Sequence, residues 1–79
     1  MTDEEIEESI LDWTRDRFDR WPIEGLHLDA RYFSTTLGVS RKRADLAIRA
    51  LSRRQQIEAV QRTEEEIAAG VPFLHRLAT

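Results

Sequence analysis

Apolar residues in the first quarter of the chain recur every three or four positions. Ile6, Ile10, Trp13, Phe18 and Trp21 fall on one stripe, with Thr14 among them. That spacing is the signature of one face of an α-helix. Thr2, followed three residues later by Glu5, makes a capping box at its start. The acids crowding the first turns suit the positive end of the helix dipole. Pro22 cannot continue the ladder, so the pattern predicts a helix over about residues 3–20. Trp13, Phe18 and Trp21 are expected as core packing. Arg17, close to the stripe, is expected to snorkel past it or to pair with an acid.

The next segment, "PIEGLHL", has Pro and Gly punctuation and then a brief alternation, Leu26 and Leu28 around His27, that suits a short strand. Asp29 is a natural N-cap for a second helix over about residues 30–37, and Gly38 suits the left-handed position that ends one. Ser40 then caps a third helix over about residues 41–56, in which Ala44, Ala47, Ile48 and Leu51 form the inward stripe. Beyond it the period changes. "IEAVQRT" alternates Ile57, Ala59 and Gln61 against Glu58 and Val60, as a strand does, and "VPFLHRLA" is a second candidate. Pro72 places that second strand at an edge or puts the proline at its first residue. Between them, "TEEEIAAG" reads either as an acidic loop or as one helical turn capped by Thr63 with Glu66 in the reciprocal position.

Charge adds an asymmetry that the total conceals. The 79 residues carry a net charge of −3, yet Arg41 to Arg54 hold six bases against one acid, Asp45, a local +5. The remainder holds six bases and fourteen acids, a local −8. A basic segment on an acidic body points to one polyanion-facing side. The length fits one domain with a thin core. With no Cys there is no disulfide framework and no thiolate metal site. No apolar run is long enough to span a bilayer and the N-terminus is acidic, so no membrane association and a cytoplasmic location are expected. His27 and His75 have no second His or acid at a ligand spacing and are expected at the surface or partly packed. No phosphate-cradling glycine loop and no nucleophile–base pair can be assembled. The chain is therefore expected not to be an enzyme and to need no cofactor or metal.

A short helix, a Gly-containing turn and a second amphipathic helix opened by Ser form the helix-turn-helix plan. Here the sequence becomes more specific. "LDARYFSTTLGVSRKRADLAIRALSRRQQIEAV", within residues 26–60, resembles the core of winged helix-turn-helix transcription regulators of the GntR, DeoR and MarR groups. The match rests on Asp29 opening the second helix, on Leu37-Gly38-Val39-Ser40 as the turn, and on Ile57 beginning the first wing strand. The resemblance implies one α+β, mainly helical domain over residues 1–79. It would be a winged helix-turn-helix with three helices and a two- or three-stranded wing over about residues 57–78. It further implies that the third helix is a recognition helix for double-stranded DNA, and that the chain is a small transcriptional regulator or accessory DNA-binding factor. The chain departs from the pattern at Gln56, where many relatives have Gly, at Leu46, where they carry a polar or basic side chain, and in an acidic wing of Glu64, Glu65 and Glu66.

Rotating by 100° per residue from Ala44 sorts the third helix into two faces. Ile48 and Leu51 lie within about 40° of Ala44, whereas Lys42, Leu46, Arg49 and Arg53 gather about 140–200° away. Arg43 and Asp45 lie on opposite flanks. Such a face suits the major groove, with Arg on guanine O6 and N7 and Leu46 on a thymine methyl. Thr35, Thr36 and Arg54 are better placed for phosphate, Ser40, Arg41 and Arg43 complete the expected DNA-binding set, and Arg62 is the basic candidate in the wing. Asp45 and Arg49, four residues apart, also suit a local ion pair.

Two further readings stay open. The same fold can serve as a protein-interaction module, its basic patch docking on an acidic partner or on the acidic first helix of another copy. Alternatively, the surface acid can reflect adaptation to high salt. Trp13, Trp21 and Leu11 offer apolar area either for a homodimer or for the chain's own core. No small-molecule effector is specified by these residues.

Overall fold

The computed structural model describes residues 1–78; Thr79, the last residue of the expected domain, lies outside them. The first helix, α1, spans Asp3–Arg20 and begins as the capping box requires. The Glu5 amide donates to Thr2 Oγ1 at 3.2 Å, and the Thr2 amide donates to Glu5 Oε1 at 2.8 Å. Its buried face is Ile6, Ile10, Leu11 and Thr14. Thr14 meets the demand of its own buried hydroxyl by donating to the Ile10 carbonyl one turn back, at 2.8 Å. The stripe stops being core beyond that point. Trp21, expected to pack inside, is 46% exposed: it follows the last helical residue, Arg20, in extended backbone, where helical phase no longer sets its direction. Arg17 pairs with no acid among the described residues. Its guanidinium lies over the rings of Trp13 (4.8 Å) and Trp21 (5.3 Å). That is a cation–π arrangement.

Helix α2 spans Ala30–Leu37 and helix α3 spans Arg41–Arg53. Asp29 accepts from the Arg31 amide at 2.9 Å, and Ser40 accepts from the Arg43 amide at 3.2 Å, so both starts are capped by the expected residues. The turn between them depends on Gly38, which has φ of 68°. That region is costly for any residue with a Cβ. Ser34 closes this turn from both sides. Its carbonyl accepts from the Val39 amide at 3.1 Å, and its hydroxyl donates to the Val39 carbonyl at 2.6 Å. The inward stripe of α3 (Ala44, Ala47, Ile48 and Leu51) is buried against α1 and α2. Phe33 completes the core at 2% exposure, meeting Trp13 edge-on with ring centroids 5.1 Å apart.

Helix α3 ends at Arg53 rather than near residue 56, because Gln55 turns left-handed with φ of 59°. The Gln56 amide then donates to the Leu51 carbonyl (3.0 Å) and the Gln55 amide to the Ser52 carbonyl (3.1 Å). These two bonds form a Schellman motif with glutamine in the position glycine usually takes. The early stop swings Ile57 into the core, where it is 1% exposed.

Strand β1, Ile57–Ala59, pairs antiparallel with β2, His75–Leu77, in the register Ile57–Leu77, Glu58–Arg76 and Ala59–His75. Both strands are shorter than the alternation suggested. Leu26 adds a single bridge on the far side of β2, exchanging both backbone bonds with His75 at 2.8 Å. Among the described residues there are four helices rather than three. Between the strands lies α4, Glu64–Ala68, so the expected wing carries a helical turn. Of the two readings of that segment, the capped turn is the one found. The Glu66 amide donates to Thr63 Oγ1 and the Thr63 amide to Glu66 Oε1, each at 3.1 Å. The result is a small, mainly helical α+β fold with one two-stranded antiparallel sheet. Among the described residues no helix is long and apolar enough to cross a membrane.

Candidate nucleic-acid interface

The geometry of α3 follows from its packing. Once Ala44, Ala47, Ile48 and Leu51 are buried, helical rotation puts Lys42, Leu46, Arg49 and Arg53 on the outside. All four are exposed, Leu46 by 49%. Arg41 and Ser40 are exposed at the start of α3, and Thr35 and Thr36 on the last turn of α2, just before the Gly38 turn. These eight residues thus lie on or beside one surface formed by α2, the Gly38 turn and α3. Ser40 Oγ is occupied as the cap acceptor, which leaves its hydroxyl proton to donate elsewhere.

The remaining expected residues are engaged within the chain. Arg43 reaches across to α1, donating to the Met1 carbonyl at 2.6 Å and to Asp3 Oδ1 at 3.1 Å. Arg54 donates to Glu7 Oε1 at 2.6 Å, and the Glu7 side chain is only 10% exposed. Arg62 donates to the Val71 carbonyl at 2.7 Å and lies 5.4 Å from the Phe73 ring centroid, so the wing's basic candidate is pinned inside its own loop. Arg49 pairs with Asp45 at 2.9 Å, the i,i+4 contact its spacing suggested, but both stay half-exposed or more. Arg41, Lys42 and Arg53 have no carboxylate within ion-pairing distance among the described residues. An open groove of about 380 Å³, lined by Asp3, Glu7, Arg43, Leu46, Ala50 and Arg53, separates the outer face of α3 from the acids of α1.

Two features of this surface are not visible in residue spacing. Asp3 and Glu7 act as counter-ions for the flank of α3, a pairing that depends on how the helices cross. His75 is buried, 8% exposed, in a cleft it shares with Leu28, Asp45, Arg49 and Phe73. Its Nδ1 has no hydrogen-bond partner among the described residues. Burial holds its pKa below the ordinary histidine value, and the charge of His27 lowers it further. Neutral at physiological pH, His75 adds no positive charge beside α3. Among the described residues no group of three or more His, Asp or Glu side chains is placed to hold a metal ion. No family model, no curated protein and no solved structure matches this chain, and its surface must be read from its own geometry.

Proposed function

We propose that this chain is a small winged helix-turn-helix protein that binds double-stranded DNA, acting as a transcriptional regulator or accessory factor, with α3 as its recognition helix. The observation that carries this reading is the outer face of α3, where Arg41, Lys42 and Arg53 stand without carboxylate partners, among the described residues, around exposed Leu46. The Gly38 turn fixes that face against α2, and the order Leu26, β2, β1 beside it supports the winged form. Docked in a major groove, Lys42, Arg49 and Arg53 would reach base edges or phosphates, and Leu46 a thymine methyl. Thr35, Thr36, Ser40 and Arg41 lie where phosphate oxygens would run alongside. The wing contributes little, since Arg62 is pinned and Glu64, Glu65 and Glu66 repel phosphate.

The test is a titration of labelled duplex by fluorescence anisotropy at two salt concentrations. Three free cations neutralising three phosphates give a log–log salt slope of about −2.7, which is about a 40-fold loss of affinity between about 50 and 200 mM salt. No binding at the lower salt refutes the reading. A second reading, a protein-docking module on the same fold, is favoured by one observation: Leu46 is an apolar side chain exposed at the centre of the basic face.

A further inference from the structure

Two exposed faces of this chain complement one another. On α3, Leu46 is 49% exposed. Lys42 lies one turn before it, and Arg49 and Arg53 one and two turns after. On α4, Ile67 is 54% exposed with Glu64 one turn before it, and Glu65 and Glu66 lie on the same short helix. One face is an apolar centre edged by bases, the other an apolar centre edged by acids. No side chain of α4 is buried, and none of its three glutamates pairs with a cation among the described residues.

We propose that the outer face of α3 is a docking surface for α4 of a second copy of this chain. Ile67 would pack on Leu46, and Glu64 and Glu66, which flank Ile67 on α4, would face the bases that edge Leu46. The acids at the start of α1 are the rival occupant, and the structure argues against them. Asp3 and Glu7 already hold Arg43 and Arg54 of their own chain. That end of α1 also presents no large exposed apolar side chain apart from Met1. Each copy offers one face of each kind, so every copy can both give and receive this contact. Opposite charges around a small apolar contact give a weak complex that salt dissolves. Because it covers Lys42, Leu46 and Arg53, self-association competes with DNA. Only that competition rests on the DNA-binding reading; the contact between copies does not.

Sedimentation equilibrium on the full chain tests this, with concentrations up to about 1 mM to reach weak association. At low salt the weight-average mass exceeds the 9.3 kDa of one chain. It returns to that value in about 1 M salt, where charges are screened beyond about 3 Å. The double variants Glu64→Lys with Glu66→Lys, and Lys42→Glu with Arg53→Glu, are each monomeric alone. Mixing the two restores the higher mass, since every reversed face then has an opposite partner. Far-ultraviolet circular dichroism checks that each variant is folded, and Glu64→Gln with Glu66→Gln, in which glutamine can still cap at Thr63, replaces the first pair if it is not. A wild-type chain that is monomeric at low salt overturns the proposal, as does a reversal that leaves its mass unchanged. Added duplex replaces the self-associated species by complexes of single 9.3 kDa chains with duplex if both readings hold. If duplex does not bind while the mass pattern holds, DNA binding fails and self-association stands; if duplex binds a chain that is monomeric throughout, the reverse is true.

Discussion

The end of α3 is the place where a single substitution is expected to make this protein more stable. Gln55 has φ of 59°, yet it makes no side-chain hydrogen bond among the described residues and is exposed. Left-handed backbone costs an L-residue about 1–2 kcal/mol relative to glycine. Glycine gives back about 0.5–1 kcal/mol through the greater freedom of its unfolded chain. The balance for Gln55→Gly is a gain of about 0.5–1 kcal/mol, against a total stability of roughly 4–12 kcal/mol for a chain of this length. At this size that raises Tm by about 2–8 °C. Thermal unfolding followed by far-ultraviolet circular dichroism measures it. Gln55→Ala serves as the control, because alanine keeps the Cβ and so keeps the strain; its Tm should stay near wild type. A Gln55→Gly variant no more stable than wild type, or an alanine variant that gains as much, would show that strain at this residue is not what limits the turn.

The Gly38 turn is the converse case. A Cβ there meets nothing within 4 Å, so any cost of adding one comes from the backbone alone. By the same balance with its sign reversed, Gly38→Ala loses about 0.5–1 kcal/mol of stability in thermal unfolding, and Gly38→Asn loses less. Adjacent arginines should separate by assay. Arg53→Ala lowers the DNA salt slope by about 1 and leaves Tm unchanged. Arg54→Ala strands the Glu7 carboxylate, which is mostly buried. It lowers stability by about 1–2 kcal/mol in denaturant titration, a value between exposed and buried pairs. His75 sets a pH dependence. Its folded pKa lies below the unfolded value of 6.5, so the unfolded chain binds the proton more tightly. Stability is full above about pH 6.5 and drains as pH falls towards the folded value, and His75→Leu flattens that limb of a Tm-against-pH curve.

Local rules were enough for much of this structure. The Thr2–Glu5 box and Pro22 set both ends of α1, and Asp29, Gly38 and Ser40 set α2, the turn and the start of α3, because each acts through bonds to its own neighbours. The Thr63–Glu66 box marked α4 in the same way, but the acid run suited a loop equally well. What could not be read was non-local. Gln55 is a poor candidate for a left-handed residue and adopts that shape because Ile57 must enter the core. Helical spacing put Trp21 on the same stripe as Ile10, but Trp21 lies just beyond the end of α1 in extended backbone, where that spacing no longer applies. On α3, Leu46, Arg49 and Arg53 were placed outward correctly from rotation alone. That Arg43 and Arg54 are tied to Asp3 and Glu7 follows only from the crossing of α1 and α3.

Helix α4 has a consequence for how the molecule opens. Its capping box, its left-handed Gly70 and the Arg62–Val71 bond are all contacts within one loop, and none of its side chains enters the core. Such a segment is a foldon of its own, able to unfold while α1, α2 and α3 stay intact. In native-state hydrogen exchange its amides should exchange at low denaturant by local opening. Those of Ile48 and Leu51 should exchange only when the whole chain unfolds. Slowed exchange confined to α4 at high protein concentration would then report the contact between copies one amide at a time.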